Sequence, residues 1–66
     1  MQITLNGAPR EFGVGLPLAA LVAELDLTGR RFAIEVNAEV VPRSTFEVFR
    51  LRDGDRVEVV HAIGGG

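Results

Sequence analysis

Pro17-Leu18-Ala19-Ala20-Leu21-Val22-Ala23-Glu24-Leu25-Asp26 is the stretch on which the reading of this chain turns. Leu18, Leu21, Val22 and Leu25 fall at i, i+3, i+4 and i+7, so four apolar side chains share one face of a helix. Ala19, Ala20 and Ala23 favour the helix because they lose no side-chain entropy in it, and Glu24 and Asp26 fall outside the apolar face. Pro17 suits a first helical position, where its missing N–H costs nothing. The spacing predicts one helix over 17–26, with Thr28-Gly29 as its exit. A single helix with one apolar face must lie on something, and the flanking sequence supplies strands.

On the N-terminal side, Gln2-Ile3-Thr4-Leu5 alternates polar and apolar residues, the pattern of a half-buried strand. Asn6-Gly7 is a tight-turn pair because both residues tolerate positive φ. With Pro9 lengthening that turn, Arg10-Glu11-Phe12-Gly13-Val14 reads as the returning strand, Phe12 and Val14 inward. On the C-terminal side, Phe32-Ala33-Ile34-Glu35-Val36 alternates again. Asn37-Ala38 makes a tight turn, and Glu39-Val40-Val41 is a short return strand ended by Pro42, which cannot donate a ladder hydrogen bond. Arg43 to Phe49 reads as irregular or as a single helical turn, with Phe46 or Phe49 plugging the core. Asp53-Gly54-Asp55 reads as turn chemistry rather than a cation site. Arg56-Val57-Glu58-Val59-Val60-His61 is the last strand.

The order strand, strand, helix, strand, strand, irregular, strand predicts an α+β protein. Its simplest form is a mixed sheet of about five strands packed on one main helix, with the first and last strands parallel at the centre. That layout is the β-grasp fold, which ubiquitin shares. The expected division is a β-grasp domain over 1–63 and a flexible glycine tail over 64–66.

Composition narrows the function. Sixty-six residues make one domain, small but within the range that folds alone, and 47% hydrophobic content argues for a packed core over disorder. There is no cysteine, hence no disulfide and no thiolate, and a single histidine makes a structural metal site unexpected. All seven basic residues are arginine, the net charge is −2, and Arg30-Arg31 is the only basic pair that stands out, so nucleic acid is not an expected partner. No apolar run approaches the ~20 residues of a membrane span and no signal peptide pattern opens the chain, so the expectation is a cytoplasmic protein with no membrane partner. His61 has no serine or cysteine near it in sequence, and no glycine-rich phosphate loop is present. The chain offers no catalytic residues and no bound cofactor of its own.

What remains is the ending, Gly64-Gly65-Gly66, which follows closely on a strand and presents one chemical group, the α-carboxylate of Gly66. Without Cβ atoms such a tail can enter a narrow channel. Four features together carry a family resemblance. They are the N-terminal hairpin, the segment Ala33-Ile34-Glu35-Val36-Asn37-Ala38-Glu39-Val40-Val41-Pro42-Arg43, the Asp53-Gly54-Asp55 turn, and the ending Val59-Val60-His61-Ala62-Ile63-Gly64-Gly65-Gly66. As a set they resemble the ThiS-type sulfur carrier proteins of thiamine biosynthesis, over essentially the whole chain.

The resemblance implies that a ubiquitin-activating-type adenylyltransferase uses ATP to adenylate Gly66. A sulfurtransferase or cysteine desulfurase then supplies sulfur to make a terminal thiocarboxylate, and thiazole synthase takes that sulfur. It also implies that Gly64 and Gly65 are the part of the tail that enters the partner's channel, and that the chain is a carrier, not an enzyme. The alternatives are the small subunit of molybdopterin synthase, a ubiquitin-like modifier conjugated through Gly66, and an interaction module with an inert tail. The first of these often carries prolines ahead of its glycines, where this chain has His61-Ala62-Ile63. An exposed apolar patch on the helix-free face of the sheet is the expected docking surface.

Overall fold

The computed structural model describes residues 1–27 and 29–61. Along the chain come β1 (Gln2–Leu5), β2 (Ala8–Glu11), α1 (Leu18–Glu24), β3 (Phe32–Val36), β4 (Glu39–Val41), one turn of 3₁₀ helix (Arg43–Thr45) and β5 (Arg56–His61). The strands form one sheet in the order β2-β1-β5-β3-β4. β1 and β5 run parallel at its centre, and the other neighbouring pairs are antiparallel. This is the β-grasp arrangement expected from the element order.

Each hairpin closes through two residues of positive φ, Asn6 (49°) with Gly7 (83°) and Asn37 (53°) with Ala38 (71°). Turns of this hand match the right-handed twist of the strands they join. Gly7 adopts the conformation freely, whereas the Cβ of Ala38 crowds the backbone there. Ala38→Gly is expected to stabilise the domain by about 0.5 kcal/mol, the relief of left-handed strain being partly offset by a freer unfolded chain. Thermal melting should show Tm rising by about 2–4 °C. A fall in Tm would mean that the strain at Ala38 is smaller than the stability lost through the freer unfolded chain.

The two-residue turn changes the register expected for the first hairpin. The returning strand starts at Ala8 and ends at Glu11, so it does not run from Arg10 to Val14. Pro9 is not part of the turn. It pairs with Thr4 in an edge strand, where a missing N–H leaves no ladder bond unmade. Val14, expected inward, is 92% exposed because the strand has already ended. Phe12 does pack against the core, with its N–H donating to the Met1 carbonyl at 3.0 Å.

The helix is shorter than its apolar pattern. Pro17, expected as a first helical residue, is the capping position instead, with ψ 145°. Its carbonyl accepts the first bonds of the helix, from Ala20 and Leu21. At the other end Asp26 turns to φ 56°, two residues before the expected exit at Thr28-Gly29. Its N–H donates to Ala23 and that of Leu27 to Val22, the paired bonds that close a Schellman end. The reversal buries Leu27; Thr28 lies outside the described residues.

The core lies between α1 and one face of the sheet. Leu18 and Leu21 are fully buried, with Val22 and Leu25 packed partly against them. They meet Ile3 and Leu5 of β1, Phe32, Ile34 and Val36 of β3, Val41 of β4 and Val57 of β5. Of the two phenylalanines expected to plug this core, Phe46 is buried and its ring stacks on Phe32 at 6.4 Å, while Phe49 is partly buried. Both sheet edges resist pairing with another chain: β2 carries Pro9, and β4 is three residues long and followed by Pro42.

Candidate functional site at the end of the central strand

β5 holds the middle of the sheet, and its last residue, His61, is the last described residue of the chain. Gly64, Gly65 and Gly66, the expected tail and reacting terminus, lie outside the described residues, as does the domain boundary placed at residue 63. What the structure describes is β5 as far as His61 and the side chains around its two ends. Residues 62–66 of the sequence, fully extended, span no more than about 18 Å.

The start of β5 is fixed by the Asp53-Gly54-Asp55 turn, whose carboxylates are both spent on backbone. Asp53 Oδ1 accepts the Gln2 N–H at 2.7 Å, and Asp55 Oδ2 accepts the Arg52 N–H at 2.8 Å. Asp55 Oδ1 also accepts from Asn37 Nδ2 at 3.0 Å. The turn reading of this pair therefore holds. Among the described residues no group of three or more histidine, cysteine or acidic side chains is gathered in a way that could hold a metal.

The asparagines of the two hairpin turns do more than turn the chain. Asn37 Oδ1 accepts the Arg56 N–H at 3.0 Å from the β3 side of β5. Asn6 Oδ1 accepts the Val59 N–H at 2.8 Å from the β1 side. Each supplies an acceptor where the neighbouring strand has ended. At the far end, Arg43 Nη2 donates to the Phe32 carbonyl at 2.8 Å and to the Arg30 carbonyl at 3.5 Å, with its guanidinium over the Phe32 ring at 4.2 Å. Arg31, Phe32, Ala33, Arg43, Val60 and His61 line a shallow cleft there, at the C-terminal end of β5. In the sequence Asn6 and Asn37 stand out only as turn residues and Arg43 only as part of a motif. An asparagine opening both turns, and a many-donor side chain directly after a strand-ending proline, were the available signals.

On the helix-free face the expected apolar patch is present but divided. Val60, 47% exposed, lies beside Ala33, and Val40, 66% exposed, lies beside Glu35. Between them Glu35 and Glu58 sit directly opposite one another across β3 and β5. No helix among the described residues is long and apolar enough to cross a membrane.

The five-stranded mixed sheet with one helix, its central strand β5 ending at His61, is a β-grasp domain. Comparison with known proteins narrows the class. The ThiS family model matches residues 3–66, through the last glycine. The thiazole synthase of Paramagnetospirillum magneticum is 39% identical over all 66 residues, and the chain spans only 20% of its length. The sulfur carrier protein ThiS of Escherichia coli K12 is 29% identical, with both chains covered in full. The crystal structure of the thiamine biosynthesis protein ThiS from Geobacter metallireducens superposes with a TM-score of 0.86 at 32% identity, again with both chains covered completely. The chain belongs to the ThiS family, the family of ThiS-type sulfur carriers.

Proposed function

We propose that this chain carries sulfur for thiazole formation in thiamine biosynthesis, as a thiocarboxylate on Gly66. The observation that carries the reading is the family match, which extends through the whole fold to the terminal glycine. The chemistry follows from the one group the tail offers. A carboxylate is a poor electrophile, so an oxygen of Gly66 first attacks the α-phosphorus of ATP on a ubiquitin-activating-type adenylyltransferase. Pyrophosphate leaves and an acyl-adenylate forms. The terminal sulfur of a cysteine persulfide, held by a sulfurtransferase or generated by a cysteine desulfurase, attacks that carbonyl and AMP leaves. A thiol then cleaves the S–S bond, freeing the thiocarboxylate.

In this scheme the chain contributes no acid and no base. It contributes an unhindered carbonyl at Gly66, a thin approach through Gly64 and Gly65, and a rigid body for the partner to hold. ATP belongs to the partner's reaction, and the cytoplasm is where these partners would meet it. Thiazole synthase is supported as the acceptor because a stretch similar to this entire chain occurs within proteins of that name. That favours the thiamine reading over the pterin one.

The reading is tested by reconstitution with ATP, the adenylyltransferase and a persulfide donor, followed by mass spectrometry of the C-terminal peptide. The wild-type chain should exchange one oxygen of Gly66 for sulfur. Gly65→Leu should lose at least ~10²-fold in rate with no change in melting temperature, because a branched side chain beside the reacting carbonyl misplaces it by an ångström or more. Equal turnover of Gly65→Leu and wild type would contradict a narrow channel.

A further inference from the structure

We infer that Arg43 and Asn6 are positioning residues for the tail: their side chains continue the sheet past the ends of β4 and β1 and keep the root of the tail in strand form. The inference rests on reading Gly66 as the reacting terminus.

The argument begins with lengths. β5 runs six residues, Arg56–His61, but its neighbour β1 pairs with it only through Thr4 and Leu5, opposite Arg56 and Val57. Beyond Val57 the β1 backbone has turned away at Asn6-Gly7. Asn6 Oδ1 takes over and accepts the Val59 N–H at 2.8 Å. On the other side, β3 pairs with β5 out to Phe32 and His61. β3 is itself backed by β4 only as far as Ile34 opposite Val41. Continuing that register places residue 43 opposite Phe32, yet Pro42 has ended the strand and the backbone has entered the 3₁₀ turn. The Arg43 side chain fills the missing place. It satisfies the Phe32 carbonyl at 2.8 Å and lays its guanidinium 4.2 Å from the Phe32 ring centre. The half of β5 nearest the tail thus keeps β3 on one side, backed there by the Arg43 side chain, and on the other side has the Asn6 side chain where the first half has β1.

The consequence concerns how many residues a partner must order. With the root held, the five residues after His61 are left to guide into a channel. If Val59 to His61 also fray, each added residue that must be fixed on binding weakens binding by roughly 5- to 30-fold. The Gly66 carbonyl itself is untouched. The effect should therefore fall on KM for the carrier, not on kcat.

The test compares four variants, Arg43→Lys among them, by adenylation kinetics, hydrogen exchange and melting temperature. Arg43→Met keeps the length of the side chain and removes its donors. Asn6→Gly removes the acceptor and keeps the positive-φ turn. Asn37→Gly is the control, since it removes the matching acceptor at the far end of β5. The readouts are steady-state adenylation of the full chain by a ubiquitin-activating-type adenylyltransferase, hydrogen exchange at individual amides, and Tm. The Val59 N–H faces Asn6, so by alternation the Val60 N–H faces β3 and reports on the Arg43 side.

Arg43→Met should speed exchange at Val60, and Asn6→Gly should speed it at Val59. Each should raise KM about tenfold, from one residue of added freedom, with kcat unchanged. Arg43→Lys should recover part of the loss, while Asn37→Gly should lower Tm without raising KM. A KM that follows Tm in all four variants, or faster exchange in Arg43→Met with no change in KM, would overturn the inference. If the wild-type chain is not adenylated at all, the proposed function fails separately. Exchange at Val60 unchanged in Arg43→Met would then overturn the holding role by itself.

Discussion

Deletion of Gly66 is expected to reduce ATP-dependent thiocarboxylate formation to background while the domain melts within about 2 °C of wild type. The deleted chain still ends in two glycines, Gly64-Gly65, so its terminal chemistry is unaltered. What changes is reach. If the partner holds the body in fixed register, a chain one residue shorter brings its carboxylate up short by about 3.5 Å. A misplacement of 1 Å at a reacting atom can cost ~10²-fold, so a shortfall several times larger leaves nothing measurable. The check is a time course of thiocarboxylate by mass spectrometry beside a thermal melt of the same sample. Activity within tenfold of wild type would mean that the partner does not hold the body and tail in fixed register.

The largest effect on stability is expected from Leu21→Ala. Leu21 is fully buried at the centre of α1, against the strand residues that form the floor of the core. Truncating a leucine in such a place costs roughly 2–5 kcal/mol, the lost transfer free energy plus the cavity left behind. A domain of this size has only roughly 3–10 kcal/mol in total. In urea the unfolding midpoint should fall by roughly 2 M at constant slope, or the variant should be unfolded at the outset. Activity should fall only in proportion to the unfolded fraction, since α1 lies on the face of the sheet away from Val60 and Ala33. Full activity loss in a sample that remains folded would assign the helix a part in docking that this account does not give it.

The two mutations separate what the sequence makes readable from what it does not. The helix face was legible because Leu18, Leu21, Val22 and Leu25 repeat at helical spacing, and β3 and β5 were legible because their alternation is uninterrupted. The central parallel pair followed from element order and connection rules alone. The misreadings fell where a backbone conformation, not a hydrophobic pattern, decides. Asp26 reverses the chain at positive φ without the glycine that usually announces such a reversal, so the helix was read two residues long. Pro9 was assigned to a turn that Asn6-Gly7 completes alone, which displaced β2 and turned Val14 wrongly inward.

The candidate site was legible in a different measure. The motif set identified the family, whereas Gly66, expected from the sequence as the reacting terminus, lies outside the described residues. The platform beneath the tail was not legible, because it is assembled from contacts distant in sequence. Asn6 reaches Val59 across 53 positions, and Asn37 reaches Arg56 across 19. A motif such as Val36-Asn37-Ala38-Glu39-Val40-Val41-Pro42-Arg43 names the residues without saying what they touch. In the structure Asn37 fastens the start of β5, and Arg43 fastens the strand that backs its end.

The measurement that bears most directly on the central claim is the intact mass of the chain purified from its native host under non-oxidising conditions, with the C-terminal peptide fragmented. The account predicts a fraction in which one oxygen of Gly66 is replaced by sulfur, with every other residue unmodified. Gly66 found joined to the lysine of another protein would contradict it in favour of a conjugated modifier. Only the free acid, both from the host and after incubation with ATP, the adenylyltransferase and a persulfide donor, would contradict sulfur carriage altogether.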